Sequence, residues 1–144
     1  MRQQIPNIIT LFNLFLGCLA IVSCFQFGTV ASISETGDML IEIPEKLYLA
    51  SLFIGLAAVV DFLDGYVARL MNAPSEMGKQ LDSLADVVSF GVAPACIVYQ
   101  FLRLALANDV NALATSSWLF APAFIIPMAG AYRLARFNLD QTQS

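Results

Sequence analysis

Histidine is absent from the 144 residues of this chain, which removes Ser-His and Cys-His catalysis and leaves zinc a poor fit. Acid-base chemistry then falls to carboxylates. Charge of either sign is scarce: 12% of the residues are Asp, Glu, Lys or Arg, against about 25% in ordinary soluble proteins. Only seven are basic and they form no patch, so no nucleic-acid partner is expected. The formal net charge of −4 comes from one acidic cluster and one acidic loop. Cysteine is limited to Cys18, Cys24 and Cys96, without paired or metal-ligand spacing, and these read as small packing residues in apolar segments. Internal repeats, low-complexity tracts and a soluble domain are also missing.

What remains is 58% hydrophobic. Apolar runs at about 8–27, 47–70, 77–104 and 118–136 approach or exceed the roughly 20 residues that a helix needs to cross a bilayer. The expected fold is all-α, a polytopic transmembrane helical bundle with about four spans, residues 1–144 forming a single domain. A signal peptide competes for the first run, but Ser23 to Phe27 offers no small-residue cleavage pattern, so the run reads as a retained span. Met1 to Asn7 reads as a polar lead, Gly28 to Lys46 and Asn108 to Ser117 as loops, and Gln141 to Ser144 as a loose tail. Asn72, Ala73 and Pro74 break the chain, with Ser75 a plausible N-cap for the third span. Pro94 is expected to kink that span by freeing an upstream carbonyl. Trp118 opens the fourth span where an interfacial aromatic belongs, and Pro122 and Pro127 lie inside it.

With four spans, Arg2, Arg69, Lys79, Arg133 and Arg136 fall on one side and Lys46 and Arg103 on the other. Basic residues favour the cytoplasm, so both termini are expected there.

Against this apolar background, four carboxylates stand within 26 residues: Asp61, Asp64, Asp82 and Asp86. A charged side chain near the bilayer centre costs about 2.5–3.5 kcal/mol on insertion scales. On a helix, Asp61, Asp64, Gly65, Ala68 and Arg69 share one broad face, and Gly78, Asp82 and Asp86 share another at spacings of four. With a rise of about 1.5 Å per residue, both acidic faces sit about 10–12 Å from the connection that joins them. Four facing carboxylates repel unless cations lie among them, and oxygen ligands suit a hard ion such as Mg²⁺ or Mn²⁺. Lys79 and Arg69 supply too little positive charge for a purely structural ion-pair network. Thr10 and Asn13, three apart on the first span, either hydrogen-bond between helices or line the phosphate end of a pocket.

The pattern Asp-x-x-Asp-Gly-x-x-Ala-Arg, eight residues, Gly-x-x-x-Asp-x-x-x-Asp resembles the signature of the CDP-alcohol phosphatidyltransferases, an integral-membrane family. All eight fixed positions are present: Asp61, Asp64, Gly65, Ala68, Arg69, Gly78, Asp82 and Asp86. Three stretches, PNIITLFN at 6–13, LDSLADVVSFGVAPA at 81–95 and RLARFN at 133–138, are similar to the phosphatidylserine synthases of bacteria. The resemblance implies CDP-diacylglycerol plus L-serine giving phosphatidylserine and CMP at the cytoplasmic face of a bacterial inner membrane. It also implies two ions held by Asp61, Asp64, Asp82 and a shared Asp86, with Asp86 as general base on the acceptor hydroxyl. Arg69 would grip a phosphate, while Gly65, Ala68 and Gly78 would leave room for the nucleotide. Arg133 and Arg136 read either as topology anchors or as guanidinium forks for a lipid phosphate or the acceptor carboxylate. Membrane lipids are expected partners, and a homodimer is carried as an open reading. The family usually has about six spans, so the chain is expected to stop short at its C-terminus.

Glycerol 3-phosphate or inositol phosphate as acceptor would use the same chemistry. A lipid-embedded prenyltransferase would leave Gly65, Ala68, Arg69 and Gly78 unexplained, and a non-catalytic cation carrier would not need Arg69.

Overall fold

A computed structural model of the chain describes residues 4–26, 31–33, 39–41, 45–70, 75–106 and 117–142. Helix α1 covers Gln4–Phe25, α2 Glu45–Leu70 and α3 Glu76–Asp86. A π-helical turn, Val87–Val92, joins α3 directly to α4, Ala93–Leu106. A 3-10 segment, Ser117–Phe124, then leads into α5, Ile125–Thr142. Four helical stretches are long and apolar enough to cross a membrane: Pro6–Phe25, Leu47–Leu70, Glu76–Ala105 and Trp118–Asp140. The chain is an integral membrane protein built as an all-α bundle.

Several element boundaries differ from the sequence expectation. Strand β1, Ala31–Ile33, pairs antiparallel with β2, Met39–Ile41, inside the segment expected to be loop. The acidic residues Glu35, Asp38 and Glu42, Pro44, the breaker 72–74, Arg2, and residues 108–116 lie outside the described residues. Helix α1 already starts at Gln4, because a proline in the first turn, here Pro6, gives up an N–H that has no intrahelical partner anyway. Helix α5 runs on to Thr142. Hydropathy ends where lipid ends, but the helix continues through residues 131–142, which contain neither Gly nor Pro. Where a kink is expected from Pro94, the chain forms the π turn, in which the Ala93 N–H reaches back five residues to the Val88 carbonyl. Around Pro122 the chain tightens into the 3-10 segment instead of continuing as α-helix.

Helix α1 is patterned inside out. Thr10, Asn13, Ala20 and Cys24 are buried at helical spacing, while Ile8, Phe12, Phe15 and Phe25 point outward. Lipid tails are as apolar as leucine, so packing between spans relies on small residues and hydrogen bonds. Helix α1 packs most extensively on α2, and also on α3 and the π turn. Below the acidic region, Cys24, Leu47, Ala50 and Cys96 form a small core, whereas Cys18, expected to pack, is exposed on the outer face of α1. There the Gln100 amide donates 2.7 Å to the Cys24 carbonyl, satisfying a helix-end acceptor that would otherwise be orphaned.

Candidate active site

Ser75 caps α3 as expected: its Oγ accepts from the Gly78 N–H at 2.9 Å. This start sets the rotation of α3, so that Asp82 and Asp86, about two and three turns on, face α2. Helix α2 brings Asp61 and Asp64 to the same place on consecutive turns. Asp61, Asp64 and Asp82 each offer an oxygen within 4.8 Å of the other two. Asp86 lies beside this group, in side-chain contact with Asp61.

The donors around these carboxylates come from α1. Thr10 Oγ1 donates to Asp64 Oδ2 at 2.8 Å, and Asn13 Nδ2 donates a long bond, 3.5 Å, to Asp61 Oδ1. The two helices run antiparallel, so partners three apart on α1 meet partners three apart on α2. Thr10 and Asn13 both make interhelical hydrogen bonds, and Thr10 also borders the cleft described next.

No lysine or arginine among the described residues forms an ion pair with these aspartates. Asp82 Oδ1, Asp86 Oδ1 and Asn13 Oδ1 are buried yet receive no hydrogen bond from the described residues. Buried carboxylate oxygens without donors are costly. Converging unpartnered carboxylate oxygens are, however, the donor set a hard divalent cation takes, so the residues present fit a metal.

Two cavities open from this centre. The first, about 140 Å³, is lined by Pro6, Asn7, Thr10, Asp64, Gly65, Ala68, Ser75, Gly78, Lys79 and Asp82. Gly65 faces open space: a Cβ there would meet nothing within 4 Å. Gly78 is tight, since a Cβ would lie 2.9 Å from Ser75 Oγ and 3.1 Å from Asn7 Oδ1. Arg69 is exposed and does not line this cleft, whereas Lys79, read from the sequence as a topology residue and as too little counter-charge for the aspartates, does.

The second cavity, about 470 Å³, lies between the π turn and α5 and is lined by Asp86, Phe90, Gly91, Pro127, Arg133 and Phe137 among others. It brings Arg133 to the same chamber as Asp86. Arg136 does not line it, so the two arginines, grouped by their spacing and both exposed, are divided by this cavity. Helix α5 is held against α3 by Asn138, whose Nδ2 donates 2.7 Å to Ser83 Oγ, while Ser83 itself donates to the Lys79 carbonyl at 2.9 Å.

The family model for CDP-alcohol phosphatidyltransferases matches residues 3–144. The chain belongs to that family. Among curated proteins it is 41% identical over 140 residues to the CDP-diacylglycerol–serine O-phosphatidyltransferase of Saccharomyces cerevisiae, covering 97% of this chain and 43% of the relative. The Bacillus subtilis protein of the same name is 34% identical over 141 residues, 98% of this chain and 64% of the relative. That of Methanocaldococcus jannaschii is 45% identical over 86 residues, 60% of this chain and 37% of the relative. The chain thus spans about half the length of the curated relatives it matches. No solved structure matches it.

Proposed function

We propose that this chain carries the reaction centre of a phosphatidylserine synthase, moving a phosphatidyl group from CDP-diacylglycerol to L-serine with release of CMP. The observation that carries the reading is the position of Asp86, which touches the carboxylate group on one side and borders the larger cavity with Arg133 on the other. The relatives' names favour serine among the possible alcohols.

In this reading Asp61, Asp64 and Asp82, with Asp86 shared, hold Mg²⁺ or Mn²⁺, as two ions. When bound, such ions neutralise diphosphate oxygens and the charge that develops on the departing phosphate. The cytidine end of the donor enters the smaller cleft beside Gly65 and Ala68. At about 140 Å³ this cleft is below the roughly 300 Å³ of a usual small-molecule pocket, so it takes only the end of a ligand whose acyl chains lie in lipid. Lys79 is the cation placed to meet a phosphate there, and Arg69, exposed on the last turn of α2, would screen one from outside. Serine occupies the larger cavity, its carboxylate on the Arg133 fork. Asp86 takes the proton of the serine hydroxyl, whose oxygen bonds to the diacylglycerol-bearing phosphorus as the bond from that phosphorus to CMP breaks. In this reading the membrane is a bacterial inner membrane and this end of the bundle faces the cytoplasm, a side that the excess of Lys and Arg there supports.

The test is CMP release from CDP-diacylglycerol in mixed micelles with L-serine, glycerol 3-phosphate or inositol phosphate as acceptor. Serine is expected to be preferred by orders of magnitude. Preference for another alcohol would overturn the serine assignment and leave phosphatidyl transfer standing. Loss of lipid-dependent CMP release with every acceptor would overturn both.

A further inference from the structure

We propose that Thr10 is a positioning residue for the carboxylate cage, holding Asp64 in its ligating orientation, and is not a contact for the substrate. The inference rests on the metal reading above. Thr10 is 4% exposed and has two acceptors near its hydroxyl: the Pro6 carbonyl at 3.1 Å and Asp64 Oδ2 at 2.8 Å. A hydroxyl has one proton to give. The Pro6 carbonyl lies one turn back on the same helix and is the ordinary acceptor of the Thr10 backbone N–H. Asp64 has the greater need, and a bond to a carboxylate is roughly twice as strong as one between neutral groups. The proton therefore belongs to Asp64.

Of the four, Asp64 alone is buried as a whole residue, 5% exposed, so water is poorly placed to replace a lost donor. A side chain of α1 thereby sets the angle at which a side chain of α2 meets α3. Partners of this kind, one shell out from a metal, typically contribute about 10–100-fold in metal affinity when removed.

The experiment is Mn²⁺ titration of the purified full chain in detergent, without nucleotide, reading free Mn²⁺ by electron paramagnetic resonance. Thr10→Val keeps the shape and loses the donor, and should weaken Mn²⁺ binding about 10–100-fold. Thr10→Ser keeps the donor and should stay near wild type. Thr10→Ala removes the hydroxyl without adding a methyl and carries the same expectation as Thr10→Val should that variant fail to fold. In an Asp64→Asn background the Thr10 substitutions should have no further effect on Mn²⁺ affinity. Wild-type Mn²⁺ affinity in Thr10→Val, with weakened nucleotide binding alone, would return Thr10 to the substrate and overturn the proposal while the cage stood. Equal losses in the Ser and Val variants would make Thr10 a packing residue. Absence of Mn²⁺ binding in the wild type would overturn the cage together with Thr10's part in it.

Discussion

Gly17 of α1 and Ser89 of the π turn touch backbone to backbone. A Cβ on Gly17 would fall on Ser89 Oγ and lie 2.9 Å from Ser89 Cα. Ser89 is fully buried and donates to the Asn13 carbonyl at 3.2 Å, so this one contact registers α1 against the turn that begins immediately after Asp86. The same helix thus braces both halves of the carboxylate group, Asp61 and Asp64 through side chains and Asp86 through the backbone that follows it.

Gly17→Ala should therefore push the π turn away from α1. Overpacking of this size costs about 1–3 kcal/mol, read as a lower melting temperature, and turnover should fall as Asp86 shifts. Ser89→Ala in the same chain should restore only part of the loss, because the Ser89 Cα stays 2.9 Å from the added methyl. Full rescue would mean that the hydroxyl alone, and not the backbone approach, sets the spacing.

Metal removal should act on stability as well as on chemistry. Without cations the converging carboxylates repel, and with them they attract a shared partner. Chelation should lower the melting temperature and stop CMP release, with Mg²⁺ or Mn²⁺ restoring both. Asp61→Asn should reverse sign between the two conditions, melting higher than wild type in chelator and lower in saturating Mn²⁺. A variant that melts below wild type in both would argue that Asp61 is needed for packing and not for a cation.

Asp86 should separate from its neighbours in kinetics. A general base is needed only when the hydroxyl attacks, so Asp86→Asn should keep much of the affinity for CDP-diacylglycerol and lose turnover by about 100-fold or more. Asp61→Asn should lose both. Equal loss of lipid-nucleotide binding in the two variants would make Asp86 one more ligand.

Much of this arrangement was legible because helical spacing is a strong signal. Asp61 and Asp64, Gly78, Asp82 and Asp86 stand at steps of three and four, and Ser75 with its cap followed from a broken apolar run. The π turn was not, since Pro94 announces only a missing N–H, and the same loss is met by a kink or by a wider turn. Thr10 and Asn13 were visible as one face of α1, but their partners lie on α2, 54 and 48 residues away, and no local pattern joins them. Lys79 in place of Arg69 in the smaller cleft depends on how two helix ends, separated by five residues of sequence, are rotated about each other, which periodicity along either helix does not specify. The short β1–β2 pairing left no trace either, because three-residue strands are too brief to set up an alternation.

The two arginines of α5 give the last prediction, because the structure divides what the sequence grouped. Arg133 lines the larger cavity with Asp86, and Arg136, one turn on and equally exposed, does not. If serine is held there, its carboxylate meets the Arg133 guanidinium through two parallel hydrogen bonds, a geometry that lysine's single ammonium point cannot reproduce. Arg133→Lys should raise the KM for serine by about tenfold, the equivalent of roughly 1.4 kcal/mol, with a much smaller change in the KM for CDP-diacylglycerol. Arg136→Lys should leave both near wild type, since it keeps the positive charge at the membrane surface and loses no cavity contact. Steady-state CMP release with each substrate varied in turn separates the cases. A larger effect from Arg136, or equal increases in both KM values for Arg133→Lys, would move the acceptor out of this cavity and leave Arg133 as an anchor for lipid phosphate.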